Sequence, residues 1–246
     1  MGEIGGLVTT EDLRAYRAVW AHPVEVSYCG TRVVTRGGFS GVPEALARLP
    51  RLRALGEVER VLTFLAAVDG SGPEAHTTNI SVVDAEGNAC ALTSSLGLGS
   101  GDFVPGLDLH LNSMLGEKHL ETVEEPGARM ESMMAPSLAL DPDGLALAIG
   151  SAGAARLRTA LVGVAAGILD ESLEPQAAVD RPRFHRQGQV VNAEPGVDED
   201  ALAELERQGY AIRRFPQLHH YFGGVSLVAR AGPAADPRRS GSARTL

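Results

Sequence analysis

Apolar and polar residues alternate through PVEVSYCGTRVVTR, residues 23–36, on either side of Gly30, which is the two-residue period of half-buried strands joined by a turn. A second hairpin is predicted from Thr77 to Val83 and from Asn88 to Ser94, around Asp84, Ala85, Glu86 and Gly87. Gly87 supplies the positive φ that a type I turn with a bulge requires. A further hairpin turns at Pro142, Asp143 and Gly144 within PSLALDPDGLALAIG. The last strand pair is expected to join GYAIRRF (209–215) to GGVSLVAR (223–230).

Helical spacing takes over elsewhere. Thr9 and Asp12 form a capping-box pair that predicts a helix running to about Val19. VPEALARLPRLRALG reads as a short helix interrupted by Pro50, and EVERVLTFLAAV as another. In RLRTALVGVAAGILD, Leu157, Ala160, Leu161, Val164, Ala165 and Ile168 share one face, while Val162, Ala166 and Leu169 cover the other. A helix apolar all round belongs under a sheet. DEDALAELERQGYAI is a surface helix with acids in its first turn and Gly209 as terminator. Three stretches carry no period: DGSGPEAH (69–76) reads as a linker, LGLGSGDFVPGL (96–107) as a lid or binding loop, and the end from about 232 to 246 as an extended or disordered tail. Strands and helices in mixed order predict an α+β layered fold with sheets sandwiched between helices.

Composition narrows the functions. The chain has 246 residues with 44% apolar content, enough for a real core. Its net charge of −9 and its few aromatics argue against nucleic-acid and anionic-membrane partners. The longest apolar run, TALVGVAAGILD, is short of the roughly 20 residues that span a bilayer. MGEIGGLVTTEDL lacks the features of a signal peptide, so the chain as it stands is expected to be cytoplasmic. Cys29 and Cys90 have neither metal nor disulfide spacing and are expected to be buried. His185 and the pair His219–His220 lack a third ligand at useful spacing, so no metal is expected.

The tandem Thr77–Thr78 after His76 carries the candidate chemistry. Two threonines opening a strand need no more explanation than β-propensity. A threonine hydroxyl acts as a nucleophile only beside a base, and His76, on the opposite face of the same strand, is out of reach. A threonine's own α-amine, titrating near neutrality, is the other known base. That requires the His76–Thr77 peptide bond to be cut first, by attack of the Thr77 hydroxyl on the preceding carbonyl.

TTNISVVDAEGNACALTSS resembles the start of the small subunit of the γ-glutamyltransferases, or glutathione hydrolases, with the pattern T-T-H-x-S-V-V-D-x-x-G-N-A. GARMESMMAPSLAL, AIGSAGAARLRT, DRPRFHRQ and ADPRRSG continue the likeness in order, and GGLVTTEDLRAYRAVWAHPVEVSYCGTRVV is similar to the end of the large subunit. The resemblance implies an N-terminal-nucleophile hydrolase, a four-layer αββα sandwich, cleaved between His76 and Thr77. It divides the chain into 1–76, the end of a large subunit, and 77–246, the small catalytic subunit, which would stay together as a heterodimer. It makes Thr77 the nucleophile, Ser95 its hydrogen-bonding hydroxyl, Gly153 and Ala154 the oxyanion amides, and Glu117 and Ser132 the holders of the substrate's α-ammonium and α-carboxylate. No cofactor is implied, and the substrate is a γ-glutamyl compound such as glutathione. The sequence departs from the pattern at Asn79 (histidine in the family), Gly97 (asparagine), Met114 (glutamine) and Met133 (serine). These weaken the hold on an amino-acid head and keep open a related acylase. The family's large subunit is much longer than 76 residues, so a separate large-subunit chain, or a non-catalytic fragment, also stays open.

Overall fold

The computed structural model describes residues 8–68, 76–114, 127–129 and 131–246. In chain order the elements are α1 (Thr10–Ala15), β1 (Val24–Tyr28), β2 (Thr31–Thr35), α2 (Val42–Arg48), α3 (Glu57–Ala67), β3 (His76–Val83), β4 (Ala89–Gly97), β5 (Phe103–Val104), β6 (Leu109–His110), β7 (Ser137–Asp141), β8 (Gly144–Ala152), α4 (Arg156–Leu169), α5 (Pro175–Asp180), β9 (Phe184–Gln187), β10 (Val190–Ala193), α6 (Glu199–Arg207), β11 (Ala211–Arg214), β12 (Gly224–Ala229) and β13 (Gly232–Ala235). Six strands form an antiparallel sheet in the order β1-β2-β7-β8-β12-β13. Strands from both sides of residue 76 therefore share one sheet.

Helix α4 packs on β8 and β12 and is buried around most of its circumference, as its all-round apolar pattern predicts. The β3–β4 hairpin packs across β8 and β12. Helix, sheet and hairpin thus stack as layers of an α+β sandwich. The hairpin's outer face carries Ile80, Val82 and Leu92 at 55%, 54% and 58% exposure. That bare apolar face is where the fourth layer of an αββα sandwich would sit.

Several expectations need correction. α1 starts at its capping box, with the Asp12 amide 3.1 Å from Thr9 Oγ1, but stops at Ala15 rather than near Val19 because it buries no residue. So short a helix gains little without a packed face. The linker read at 69–76 ends one residue early, since His76 already belongs to β3; residues 69–75 lie outside the described residues. Strand β11 does not pair with β12. It runs parallel to β10, from Val190↔Ala211 to Ala193↔Arg214, because its largely exposed residues suit an edge, whereas the buried β12 takes the place between β8 and β13. Cys90 is exposed and Cys29 half-buried. No described helix is long and apolar enough to cross a membrane.

The largest correction concerns the C-terminal segment. Gly232–Ala235 is a strand on β12, and Pro237–Arg239 is a 3-10 turn. Only the last residues, 241–246, are exposed without regular structure. Arg238 reaches Glu194 at 2.6 Å and Asp236 at 3.2 Å, and Arg183 reaches the other Asp236 oxygen at 2.6 Å, all four side chains being buried. Glu194 also accepts from the amides of Arg183 and His219, and Asp236 from that of Val225. Two cations and two anions cancel, and backbone groups take their remaining hydrogen-bonding capacity, which is the condition under which buried charge is tolerated. Removing one partner strands the rest. Arg238→Met is expected to lower the unfolding free energy by about 3–5 kcal/mol, read from urea titrations, against less than about 1 kcal/mol for the exposed Arg230→Met.

Candidate active site

Thr77 sits at the start of the hairpin opposite Ser95, its hydroxyl 3.3 Å from Ser95 Oγ. The ladder slips between His76 and Thr77: His76 faces Gly97 and Thr77 faces Ser95, leaving Leu96 as an extra residue on β4. Bulges of this kind re-aim side chains beside active sites. Ser95 Oγ accepts from the Gly97 amide at 3.1 Å, which fixes the hydroxyl within the bulge. Gly97 itself is buried at φ 65, a left-handed conformation open to glycine and, at modest cost, to asparagine.

The hairpin's polarity is inverted relative to an ordinary amphipathic hairpin. Thr77, Asn79, Ser81, Thr93 and Ser95 lie on the half-buried face, with Val83, Ala89 and Ala91 at its turn end, while the large apolar residues Ile80, Val82 and Leu92 are exposed. Asn79 fastens the polar face to the sheet. Its amide satisfies the most partners with Nδ2 toward Thr93 Oγ1 (2.7 Å) and the Leu92 carbonyl (3.0 Å), and Oδ1 toward Ser226 Oγ (2.6 Å) and the Ile80 amide (3.2 Å). Ser81 Oγ donates to the Ser226 carbonyl at 3.1 Å. Gly150 of β8 makes room, since a Cβ there would overlap the Asn79 amide. Sequence reasoning noted Asn79 only as a departure and missed Ser81, Thr93, Gly150 and Ser226; polar residues two apart on both strands of one hairpin were the available signal.

Gly153 and Ala154 form the turn between β8 and α4. Gly153 has φ 136, and a Cβ on it would lie 2.6 Å from the Gly223 Cα, so the position accepts only glycine without movement. Ala154 is buried at φ 51, a conformation that costs a side chain about 1–2 kcal/mol and glycine almost nothing. Among the described residues neither amide donates a backbone hydrogen bond, and both precede the positive end of a 14-residue helix. Arg156, buried in the first turn of α4, donates to the Tyr221 carbonyl at 3.0 Å and lies over the Tyr221 ring.

The remaining candidates are dispersed or local. Ser132 is half-buried, and its hydroxyl accepts from the Met134 amide at 3.1 Å, a local turn cap. Met114 and Met133 are half-buried. Glu117 lies outside the described residues. The 96–107 stretch carries β5, paired with β6, where Phe103 stacks on His110 at 4.5 Å. Among the described residues no group of three or more His, Cys, Asp or Glu side chains forms a metal cluster. His185 is buried, with Nδ1 2.9 Å from Thr159 Oγ1. Burial first, and then Arg156 and Arg158, push its pKa down from 6.5 to about 4.

Two outcomes follow from these contacts. Gly150→Ala is expected to destabilise the fold by about 1–3 kcal/mol through overpacking, and most of that cost should vanish in an Asn79→Ala background, as a double-mutant cycle of urea midpoints would record. His185 is neutral when folded, so its contribution is full above pH 6.5 and falls as the pH drops toward 4. The melting temperature of His185→Asn should therefore fall less steeply than the parent's across that window.

The gamma-glutamyltranspeptidase family model matches residues 62–246. The acylase ACY 1 proenzyme of Pseudomonas sp. strain SE83 is 29% identical over 85% of this chain, and the glutathione hydrolase proenzyme of Pseudomonas aeruginosa is 33% identical over 74% of it. The chain spans 39% and 46% of those proenzymes' lengths. A cephalosporin acylase structure from Bacillus halodurans superimposes with a TM-score of 0.77 over all of this chain and 56% of its own, at 22% identity, a likeness of fold. With three quarters of its length inside the family model, the chain belongs to the gamma-glutamyltranspeptidase family.

Proposed function

We propose that the chain is the catalytic part of an autoprocessing γ-glutamyl hydrolase or transferase in which Thr77 is the nucleophile. The Thr77–Ser95 hydroxyl pair at a bulged strand start carries this reading. The Thr77 hydroxyl first attacks the His76 carbonyl, converting the peptide bond into an ester that water opens. The freed α-amine then takes the hydroxyl proton as Thr77 attacks a γ-glutamyl amide such as that of glutathione, and gives it to the leaving amine. Water or an acceptor amine releases the acyl group. The Gly153 and Ala154 amides receive the oxyanion, each donor being worth about 2.7–4 kcal/mol in the transition state. Glu117 and Ser132 hold the amino-acid head.

Cleavage would yield segments 1–76 and 77–246. They stay together because β2 of the first pairs with β7 of the second within the main sheet. The apolar outer face of β3–β4 is assigned to the remaining part of a longer polypeptide or to a companion chain, which burial of Ile80, Val82 and Leu92 would favour.

A second reading, an acylase acting on another amide, is supported by Met114, Met133 and Gly97, which lack the polar groups that would grip an α-amino acid. Glutathione and a glutaryl amide offered to the processed protein separate the two, by release of glutamate or of glutarate. Thr77→Ala is expected to give one intact mass with neither product formed, whereas the parent should show a species beginning at Thr77. An unprocessed mutant with parental amidase rates would overturn the assignment.

A further inference from the structure

The Gly153–Ala154 turn is built against a segment some 70 residues further along the chain, the 3-10 turn His220–Phe222 and the Gly223 that follows it. A Cβ on Gly153 would strike the Gly223 Cα, and one on Gly223 would lie 2.7 Å from the Ala152 carbonyl oxygen and 3.3 Å from the Ala160 Cβ. Backbone meets backbone there with no slack. In so close a packing, a shift of the 220–223 segment moves the Gly153–Ala154 turn with it.

Arg156 fastens that segment to α4. Its side chain is buried, its Nε donates to the Tyr221 carbonyl at 3.0 Å, and its guanidinium carbon lies 4.6 Å from the centre of the Tyr221 ring. Tyr221 is held from the other side as well. Its hydroxyl accepts from Asn192 Nδ2 at 3.0 Å, and its ring stacks on Phe215 at 5.4 Å. Nothing in α4 by itself asks for an arginine at this position. A cation in the first turn meets the positive end of the helix dipole, and burying it adds a desolvation cost. The carbonyl and the ring of Tyr221 are what offset both.

We propose that Arg156 is a positioning residue for the Gly153 and Ala154 amides: by clamping Tyr221 it presses Gly223 onto Gly153 and fixes the direction in which the two N–H groups point. The inference rests on the reading of those amides as oxyanion donors, and it assigns Arg156 no contact with substrate. Donors aimed in advance at a developing charge lose their effect when they are misdirected, and a displacement of 1 Å can lower a rate about 100-fold.

Steady-state kinetics on the processed protein, with whichever of glutathione and the glutaryl amide the parent hydrolyses, test this. Arg156→Met should lower kcat about 100-fold with KM within about twofold of the parent's, the pattern of an interaction lost only in the transition state. Arg156→Lys keeps the charge without the planar face and should recover at most about tenfold of that loss. Tyr221→Leu, which removes the ring and leaves Arg156 in place, should lower kcat about tenfold and again spare KM. A second measurement does not need turnover. In a Thr77→Ala background, the backbone amide resonances of Gly153, Ala154 and Gly223 should shift on Arg156→Met, while those of Ala148 and Leu227 in the middle of the sheet stay in place. Unmoved turn amides, a parental kcat in Arg156→Met, a loss carried by KM instead of kcat, or full recovery by Arg156→Lys would each overturn the proposal. Absence of turnover in the parent speaks against the role given to Thr77 instead, and Arg156 then stands or falls on the turn amides.

Discussion

The Asn79 amide bridges Ser226 of β12, Thr93 of β4 and the backbone of its own strand, and so holds the β3–β4 hairpin on the main sheet by its polar face. Everything proposed for Thr77 depends on that orientation. A strand that slipped by one residue would turn Ile80 and Val82 inward and carry the threonine hydroxyl to the opposite side. Apolar burial alone favours the slipped arrangement. What opposes it is a set of hydrogen bonds that reach full value only where no Cβ intrudes, which is why Gly150 lies beneath the amide.

The C-terminal charge cluster acts on the other half of the candidate site. Asp236 accepts from the Val225 amide, Arg183 donates to the Phe222 and Gly223 carbonyls, and Gly223 packs against Gly153. The turn bearing the two candidate oxyanion amides is therefore backed by a segment that buried ion pairs hold rigid. Such pairs are a weak source of net stability compared with an apolar core of the same shape, but they fix register and direction. Here the thing fixed is a backbone close approach that tolerates no side chain.

Much of the layered fold was legible in the sequence. The hairpins around Gly30, Gly87 and Gly144, the buried helix α4 and the break near Pro50 follow from local periodicity and turn chemistry, which act over a few residues. Asn79 as a fastening residue was not legible, because its partners Thr93 and Ser226 are distant in sequence and join only through tertiary packing. The structured tail was misread for a related reason. ADPRRSG has the composition of a disordered end, yet Asp236 and Arg238 are buried once Glu194 and Arg183 supply opposite charge. β11 was assigned to the wrong partner because alternation describes a strand's faces and leaves its neighbours undefined.

The departures from the family pattern separate reaction from recognition. In the proposed reaction, Thr77, Ser95 and the amides of residues 153 and 154 would supply the groups that bond making requires, and Ala154 keeps its N–H while its side chain bears a conformational penalty that glycine avoids. Gly97, Met114 and Met133 instead replace polar groups that would hold a substrate's amino-acid head. A half-buried methionine is adaptable and, in a substrate site, would accept an apolar or bulky acyl group as readily as a compact one. A buried site that hydrogen-bonds a charged head rejects substrates lacking it, because its own polar groups would be left unpaired, and each such group removed from the wall relaxes that rejection. On the proposed reading, the same substitutions that weaken the grip on glutamate would thus widen the range of amides within reach of Thr77.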